Sequence, residues 1–407
     1  AQRKLRLGHC RTPETFAKDQ FNDNICSLNI HITADLNPGE FIMRLLAIIP
    51  GIALIVAILW DAFETIILPR RVTRRFRLAS AFYRTVWTPW SALARSLHKA
   101  KRREELLGLF GPLSLLMLLT LWAVGLILGY AILHWSLGAH LNVSARPTFA
   151  EDLYLSGVTF FTLGYGDIVP MSAIGRMLAV IEAANGFGLL AIVIGYLPVL
   201  YQSFSRREMN ITLLDARAGS PSSATEMLRR HAESGNLDEL GSVLREWERW
   251  AAELLESHLS YPVLCYFRSQ HDNQSWLAAL TTVLDTCSLV MVGVEGLPAW
   301  QARLTFAMAR HAVVDIAQIF STAPATPEAC ATRLFPGDLE RLREILEHNG
   351  ASLKDGVDAE LKLTELRLMY EPYVSALSAR LMMPLPPWIL GADAIDNWKT
   401  SAWGRIQ

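Results

Sequence analysis

Six consecutive residues form a candidate binding site for a dehydrated cation. They are Thr162, Leu163, Gly164, Tyr165, Gly166 and Asp167. A bare cation needs a cage of oxygen atoms, and a backbone supplies one when successive carbonyl groups point the same way. That arrangement places alternate residues in the left-handed region, which glycine enters at little cost. Gly164 and Gly166 are spaced as such a ladder requires.

Residues 158–167 resemble the pore signature of tetrameric potassium channels. Leu163 stands where valine or isoleucine is more common, while Thr159 and Asp167 match the surroundings of the signature. The resemblance implies that K⁺ is the permeant ion and is bound by backbone carbonyl oxygens in stacked sites. The four coordinating residues are then Thr162, Leu163, Gly164 and Tyr165. A glycine-rich turn in a membrane protein is the alternative interpretation of this motif.

The resemblance also implies roles for the side chains around the filter, residues 162–167. Tyr165 is expected to point away from the pore axis, and Asp167 to lie at the outer mouth. Relatives of this type place a glutamate in the pore helix and two tryptophans ahead of it, where this chain has Val158, Tyr154 and Leu155. The hydrogen bonds that hold the aspartate in those relatives are therefore not predicted here.

Composition and apolar runs predict a membrane protein. Hydrophobic residues make up 51% of the 407 residues and charged residues only 19%. Three runs have the roughly 20 apolar residues that cross a bilayer, namely a first transmembrane helix at 43–68, an outer helix at 112–135 and an inner helix at 176–203. A pore helix at 149–162 is too short to cross, and non-helical backbone after it survives in a membrane only where it lines a path.

The predicted fold is therefore all-α. A pore domain at 112–204, built from the outer helix, the pore helix, the filter and the inner helix, follows one extra N-terminal transmembrane helix. A tail at 1–42 precedes that helix. Met43 is one candidate initiator, in which case the tail is not native, and an extracytoplasmic tail is the alternative.

Basic residues predict the orientation. The segment at 69–111 is predicted to be a cytoplasmic linker by the positive-inside rule. Its basic residues are Arg70, Arg71, Arg74, Arg75, Arg77, Arg84, Arg95, Lys99, Lys101, Arg102 and Arg103. The segment at 136–175 has a single basic residue, Arg146, and is predicted to face outward. We expect a bacterial inner-membrane protein whose C-terminal half lies in the cytoplasm.

Aromatic residues interleave with arginines in this linker. They are Phe76, Phe82, Tyr83, Trp87 and Trp90. The pattern is typical of an amphipathic helix in the membrane interface, which predicts membrane lipids, with anionic lipids as a candidate, as partners. The alternative is a linker that transmits movement to the pore.

The first span carries two acidic residues near its inner end. Asp61 and Glu64 share a helical face, which suggests either an ion or proton site or pairing with Arg70, Arg71 or Arg74.

The inner helix carries three candidate hinge residues. Gly186 lies where the inner helix of many potassium channels has its gating glycine, and Gly188 and Pro198 also lower the cost of bending. Close helix packing is the alternative for Gly186. Glu182 and Asn185 are polar within this helix and are expected to face protein or water.

The remaining sequence predicts a linker at 205–221 and a helical cytoplasmic domain at 222–407. An apolar stripe indicates an amphipathic helix that faces either a core or a coiled-coil seam. Its residues are Leu237, Leu240, Leu244, Trp247, Ala251 and Leu254. The run at 276–294 is predicted to be a buried helix, because Asp285 is costly in mid-bilayer, although a fourth span is the alternative.

No regulator of this domain is identified from its sequence. It has neither a dinucleotide fingerprint after a strand nor the strands of a cyclic-nucleotide barrel. One group of side chains is a candidate ligand cluster, although a lone histidine in a helical domain is usually structural. Its members are His258, His271, Asp272, His311 and Asp315.

One chain carries one filter, so a closed pore requires four chains around a four-fold axis. The sequence therefore predicts a homotetrameric potassium channel without an organic cofactor, a nucleic-acid partner or enzymatic activity. A nonselective cation channel is one alternative. A membrane-bound sensory or scaffold protein with a vestigial pore is another.

Overall fold

The computed structural model describes residues 38–68, 78–138, 141–142, 147–271, 273–297, 299–326, 333–335 and 337–391. The N-terminal tail up to residue 37, the basic residues at 70–77, Phe76 and Arg146 lie outside these ranges. Within them the regular structure is helical, and the β-bridges between Leu141 and Pro170 and between Val294 and Leu353 are isolated. The predicted all-α fold is confirmed.

The first five helices include the segments that sequence analysis assigned to the membrane. They are α1 (Pro38–Ala62), α2 (Leu78–Ser96), α3 (Ala100–Ser136), α4 (Phe149–Phe160) and α5 (Ala173–Ala218). A single π-helical turn, Phe63–Ile67, follows α1. The extra N-terminal helix, the outer helix, the pore helix and the inner helix of the predicted fold therefore correspond to α1, α3, α4 and α5.

Two of these helices extend beyond the apolar runs. α3 begins at Ala100, inside the segment predicted as a linker, and α5 continues to Ala218, so the linker predicted at 205–221 is largely helical. Hydropathy marks only the lipid-embedded part of a helix. The extension of α5 is amphipathic, and its buried face includes Phe204, Ile211 and Leu214.

The described helices divide into two compact units. The first unit contains the described residues up to Trp60 and Thr120–Ala191, and the second contains Asp61–Leu119 and the described residues from Ile192 onward. α1, α3 and α5 each contribute one part to each unit.

In the first unit, glycines bring the backbones of α1 and α3 close together. A Cβ atom added to Gly129 would lie 2.6 Å from Ile55 Cγ1, and one added to Gly51 would lie 2.9 Å from Leu133 Cδ2. A Cβ atom on Gly125 would also collide with Ile58. Gly125 and Gly129 form a small-xxx-small pattern, which lets membrane helices approach each other.

The second unit is a helical domain built around α8. Its helices after α5 are α6 (Ala224–Glu233), α7 (Leu240–Ser260), α8 (Trp276–Gly293), α9 (Ala299–Ile319), α10 (Asp338–His348), α11 (Val357–Leu368) and α12 (Glu371–Leu381). Short 3₁₀ turns at Leu237–Glu239 and Pro262–Tyr266 flank α7. The apolar stripe on α7 packs into the core of this unit, which is the core-facing alternative.

Four described helices are long and apolar enough to cross a membrane, and α8 differs from the others in its burial. The four segments are Ile42–Ile67, Ala100–Ser136, Ala173–Ala218 and Trp276–Gly293. The apolar window of α8 is 89% buried within the protein, against 11–39% for the other three. This burial agrees with the interpretation of 276–294 as a core helix.

A buried ionic cluster explains how an acidic residue is accommodated in α8. Arg333 Nη2 lies 2.5 Å from Asp285 Oδ2, and Arg333 Nη1 lies 2.9 Å from Glu371 Oε1. Tyr370 donates a hydrogen bond to Asp285, and Arg367 completes the cluster 3.0 Å from Glu371. Because each carboxylate faces a guanidinium, burial of Asp285 is tolerated.

The helix that sequence analysis placed in the membrane interface makes extensive protein contacts. The backbone N–H of Ala79 donates to Asp61 Oδ1 at 3.1 Å, so Asp61 caps the first turn of α2. Trp87 is buried, and its indole N–H donates to the carbonyl of Arg380 at 3.0 Å. The ring of Tyr83 stacks on that of Tyr266, with 5.9 Å between centroids. These contacts fix α2 within the second unit.

We predict that Arg333→Met lowers the free energy of unfolding by about 3–5 kcal/mol, because it leaves Asp285 buried without its guanidinium partner. Thermal unfolding in detergent, followed by tryptophan fluorescence, measures the change. Arg341→Met is the matched control, since this arginine is exposed on α10. An equal loss in both variants would contradict a structural role for the cluster.

Candidate functional site

The helix that leads into the filter has a well-defined start and end. The Thr148 side chain accepts a hydrogen bond from the backbone N–H of Glu151, and Glu151 Oε2 accepts one from the N–H of Thr148 at 2.7 Å, which forms a capping box. The helix ends at Phe160, two residues before the predicted end, because Thr162 adopts the left-handed region. A residue in that region terminates an α-helix.

The filter backbone alternates between left-handed and other conformations. Thr162, Gly164 and Gly166 have φ angles of 55°, 58° and 79°. No backbone hydrogen bond joins residues 164–166 to any other described residue. The carbonyl oxygens of this stretch therefore keep their coordinating capacity.

Two side chains hold the Asp167 end of the filter. The Tyr154 hydroxyl donates to Asp167 Oδ2 at 2.9 Å, and the Asn142 side-chain amide donates to the Asp167 carbonyl at 2.9 Å. Asn142 Oδ1 in turn accepts from the N–H of Val169 at 2.9 Å. The aspartate is thus tethered, although Tyr154, Leu155 and Val158 stand at the positions where the resembled channels have two tryptophans and a glutamate. The role of Asn142 was not predicted, because nothing local in its sequence marks it.

Apolar side chains of the filter region are exposed in a single chain. Phe161, Leu163 and Tyr165 are 59%, 54% and 68% exposed. The inner helix also exposes large apolar residues, among them Phe187 and Ile194. Exposed apolar side chains of this kind are typical of contact with lipid or with another chain.

Gly186 is in close contact with the end of the pore helix. A Cβ atom at this position would lie 2.9 Å from the carbonyl carbon of Phe160 and closer still to its oxygen. This contact favours the packing alternative for Gly186. Nothing lies within 4 Å of a Cβ atom on Gly188, and Pro198 lies within the continuous helix α5.

The two polar residues of the inner helix both face protein. Glu182 accepts a hydrogen bond from Ser156 of the pore helix and lies 3.3 Å from Nε2 of His134 on α3. Asn185 donates to the hydroxyl of Tyr130, also on α3. We expected these two residues to face either protein or water, and in the structure both contact other side chains of the protein.

In the second unit, the extension of α5 is anchored to the segment Tyr261–Arg268, which we call the junction segment. Arg207 is buried and donates to the carbonyls of Leu264 and Phe267 at 2.8 and 2.9 Å. Arg268 donates to the carbonyls of Leu381, the last residue of α12, and of Met382, which follows it. The junction segment therefore contacts the extension of α5 and the end of α12 through charged donors.

The residues of the predicted ligand cluster are not brought together. His258 is buried, and its Nδ1 atom lies 2.8 Å from the carbonyl oxygen of Leu254. Burial, and to a smaller extent the positive charge of Arg207, lowers the pKa of His258 to about 3. His311 pairs with Asp315 one turn away on α9, with 3.4 Å between Nε2 and Oδ2. Asp272 lies outside the described residues, and within them no group of three or more potential metal ligands is found.

Comparison with protein families identifies an ion-channel domain. Residues 116–202 match the family model described as "Ion channel". The matched range covers most of α3, all of α4, the filter and the apolar part of α5. The match and the apolar helices support a membrane-embedded pore-loop ion channel.

Three bacterial proteins are similar to parts of the chain. "Uncharacterized membrane protein YdjJ" of Bacillus subtilis is 20% identical over 194 residues, which cover 47% of this chain and 56% of that protein. "Protein LctB" of Bacillus caldotenax is 31% identical over 90 residues, 19% of this chain and 66% of that protein. "Protein LctB" of Geobacillus stearothermophilus is 29% identical over 116 residues, which cover 26% of this chain and 78% of that protein. No solved structure matches the chain.

We predict that Gly186→Ala destabilises the protein by about 1–3 kcal/mol, because the added methyl group collides with the Phe160 backbone. Gly188→Ala is the matched control on the same helix and should change stability by less than about 1 kcal/mol. Thermal unfolding in detergent compares the two variants. Equal stability of both would show that the contact at Gly186 is not tight.

Proposed function

We propose that the protein is a potassium-selective channel that conducts K⁺ passively across the membrane as a homotetramer. The observation that carries this proposal is the alternation of left-handed residues at Thr162, Gly164 and Gly166 directly after a short, capped helix. A backbone of this kind turns successive carbonyl oxygens toward one side, where they replace the hydration shell of an ion.

Potassium is the proposed ion because the candidate ligands are neutral oxygens. The carbonyl oxygens of Thr162, Leu163, Gly164 and Tyr165, with the Thr162 hydroxyl below them, would form stacked sites. Neutral carbonyl dipoles suit a large monovalent cation, and repulsion between ions in neighbouring sites drives conduction. Asp167, held by Tyr154 and Asn142, adds negative charge at the proposed outer mouth and attracts cations.

A tetramer is proposed because one chain supplies one filter and leaves apolar residues uncovered around it. Phe161, Leu163 and Tyr165 are more than half exposed in the single chain. Neighbouring copies around a four-fold axis would cover these rings while the carbonyls face the axis. In that assembly Tyr165 braces the filter from outside.

Opening is proposed to involve the inner helix. Gly188 has open space around it and Pro198 removes one helical hydrogen bond, so α5 bends most easily between them. Arg207, on the extension of α5, donates hydrogen bonds to the junction segment. Movement of the helical domain would therefore act on the same helix that lines the pore.

The proposed location is the bacterial inner membrane, with the helical domain in the cytoplasm. Basic residues concentrated in 69–111 support this orientation. The exposed arginines of the linker are proposed to contact anionic lipid head groups. The chain is proposed to act as a channel without enzymatic activity, and the regulatory ligand of the helical domain is not assigned.

Flux measurements on purified protein in liposomes test this function. Under a K⁺ gradient we expect K⁺ flux that Ba²⁺ blocks and that Gly164→Ala abolishes, because alanine at a φ of 58° costs about 1–2 kcal/mol and disturbs the carbonyl ladder. Gly108→Ala, in open space on α3, should conduct normally. Equal Na⁺ and K⁺ flux would indicate a nonselective cation channel. Absence of flux would favour a sensory or scaffold role.

Labelling of single cysteines tests the orientation. In a variant whose five native cysteines are replaced, we expect a cysteine at position 144 to react with an impermeant maleimide from outside. A cysteine at position 96, exposed at the end of α2, should react only after permeabilisation. Position 144 lies outside the described residues but within the segment predicted to face outward. The opposite pattern would reverse the proposed topology.

A further inference from the structure

The second unit contains a small cavity between α2, the junction segment, the end of α9 and α12. We propose that this cavity binds the phosphate group of a ligand, either a phospholipid head group or a soluble phosphate ester. Binding itself does not depend on ion conduction. A regulatory role for the bound phosphate rests on the proposed function.

The cavity is large enough for a phosphate group. Its volume is about 50 Å³, several times the roughly 10–15 Å³ that one water molecule needs. Five polar residues line it, together with apolar side chains of the junction segment and of the end of α9. They are Ser80, Tyr83 and Arg84 of α2, Tyr266 of the junction segment and Arg380 of α12.

The polar lining of the cavity consists of hydrogen-bond donors. It combines two guanidinium groups with three hydroxyl groups, and no acidic residue lies among the described lining residues. Burial raises the pKa of Tyr83 and of Tyr266, so both hydroxyl groups stay protonated at neutral pH. A phosphate offers three or four acceptor oxygens to such a set, whereas a carboxylate offers two. The donor set therefore favours phosphate.

The two arginines of the cavity lack an anionic partner within the described part of the chain. Neither Arg84 nor Arg380 forms an ion pair with a described carboxylate, and the buried Nε atom of Arg380 has no hydrogen-bond partner there. Elsewhere in the same unit the buried arginines Arg207 and Arg333 each pair with a carboxylate. Two cations that line one cavity repel each other, and an anion between them removes that repulsion.

The donors are held in place by contacts that do not require a ligand. The indole N–H of Trp87 donates to the carbonyl of Arg380 at 3.0 Å, which joins α2 to α12 beside the cavity. The ring of Tyr266 lies between those of Tyr83 and Phe320, with centroid distances of 5.9 and 5.5 Å. A site that is already formed loses little conformational entropy when it binds a ligand.

Two sources of phosphate would reach the cavity from the same side. Ser80 and Arg84 are exposed, whereas Tyr266 is buried, so α2 forms the accessible side. Sequence analysis predicts that α2 lies in the membrane interface, where phospholipid phosphates are found. A soluble phosphate ester would use the same entrance.

A bound phosphate would link α2 to the junction segment, because Arg84 and Tyr266 would contact the same group. The junction segment also accepts two hydrogen bonds from Arg207 on the extension of α5. Occupancy of the cavity is therefore expected to restrain the part of α5 that follows the proposed bend. This connection would make the phosphate a regulator of opening.

Binding of inorganic phosphate to the full chain in nonionic detergent tests the inference. At constant ionic strength and about pH 7.5, we expect the thermal unfolding midpoint to rise by about 3 °C at saturating phosphate. Titration calorimetry should give one phosphate per chain. Arg84→Gln, Arg380→Gln and Tyr266→Phe should each weaken the affinity at least about fivefold, because each removes a donor to a charged acceptor.

Two features of these variants keep the test interpretable. Arg84 is exposed, so its replacement leaves the core intact, and Tyr266→Phe keeps the stacked ring while removing only the hydroxyl group. Arg341→Gln is the matched control, since this arginine is exposed on α10 away from the cavity lining, and it should bind phosphate like the unaltered protein.

Two phosphate esters in the same detergent distinguish the sources. A head-group site should bind dioctanoyl phosphatidic acid at least about tenfold more tightly than glycerol phosphate, because its acyl chains add apolar contact. A site for solutes should bind glycerol phosphate at least as tightly as the lipid. Either result would support the site and identify its source.

The inference would be overturned by binding that chloride reproduces at equal ionic strength, since that result indicates an adventitious ion only. Affinities that remain unchanged in all three variants, or absence of binding by every probe, would also overturn it. None of these measurements needs ion flux. Specific phosphate binding in a protein that conducts no K⁺ would therefore uphold the site and reject the channel.

Discussion

The backbone of residues 164–166 is the constraint on which the rest of the first unit depends. It makes no backbone hydrogen bond to other described residues, and in a membrane-embedded region such groups are tolerated only beside a polar path. Such a segment cannot stabilise itself. Its ends are instead fixed by neighbours, with the pore helix on one side and the contacts of Tyr154 and Asn142 to Asp167 on the other. The middle of the segment stays available to a ligand.

A different requirement shapes the second unit, where buried charged side chains are paired within the protein. The ionic cluster around Arg333 allows Asp285 to lie in the centre of an apolar helix. Arg207 satisfies two carbonyls of the junction segment, whose short 3₁₀ turn leaves acceptors that an α-helix would have paired internally. Charged donors thus replace helical hydrogen bonds where the chain changes direction. Arg207 also fixes the extension of α5 to the junction segment.

Sequence analysis predicted best those features that depend on residues close together in the chain. The length of apolar runs predicted the membrane helices, and the spacing of Gly164 and Gly166 predicted left-handed residues that the structure shows. It failed to predict that α5 continues to Ala218, because an amphipathic extension carries no hydropathy signal. The hydrogen-bonding partners of Glu182 and Asp167 could not be predicted, because these partners lie far from them in the sequence. The pattern at Gly125 and Gly129 was a signal that could have identified the close approach of α1 and α3.

That approach has a consequence for the role of α1. Three glycines on two helices leave room only for the isoleucines and leucine opposite them, so the two surfaces fit as a matched pair. An unrelated apolar helix of equal length would not match the groove that Gly125 and Gly129 leave along α3. Lipid tails would fill that groove poorly, and side chains that line a void lose dispersion contacts. The first helix is therefore an integral wall of the unit that carries the filter, and exchange for an unrelated membrane anchor would not preserve it.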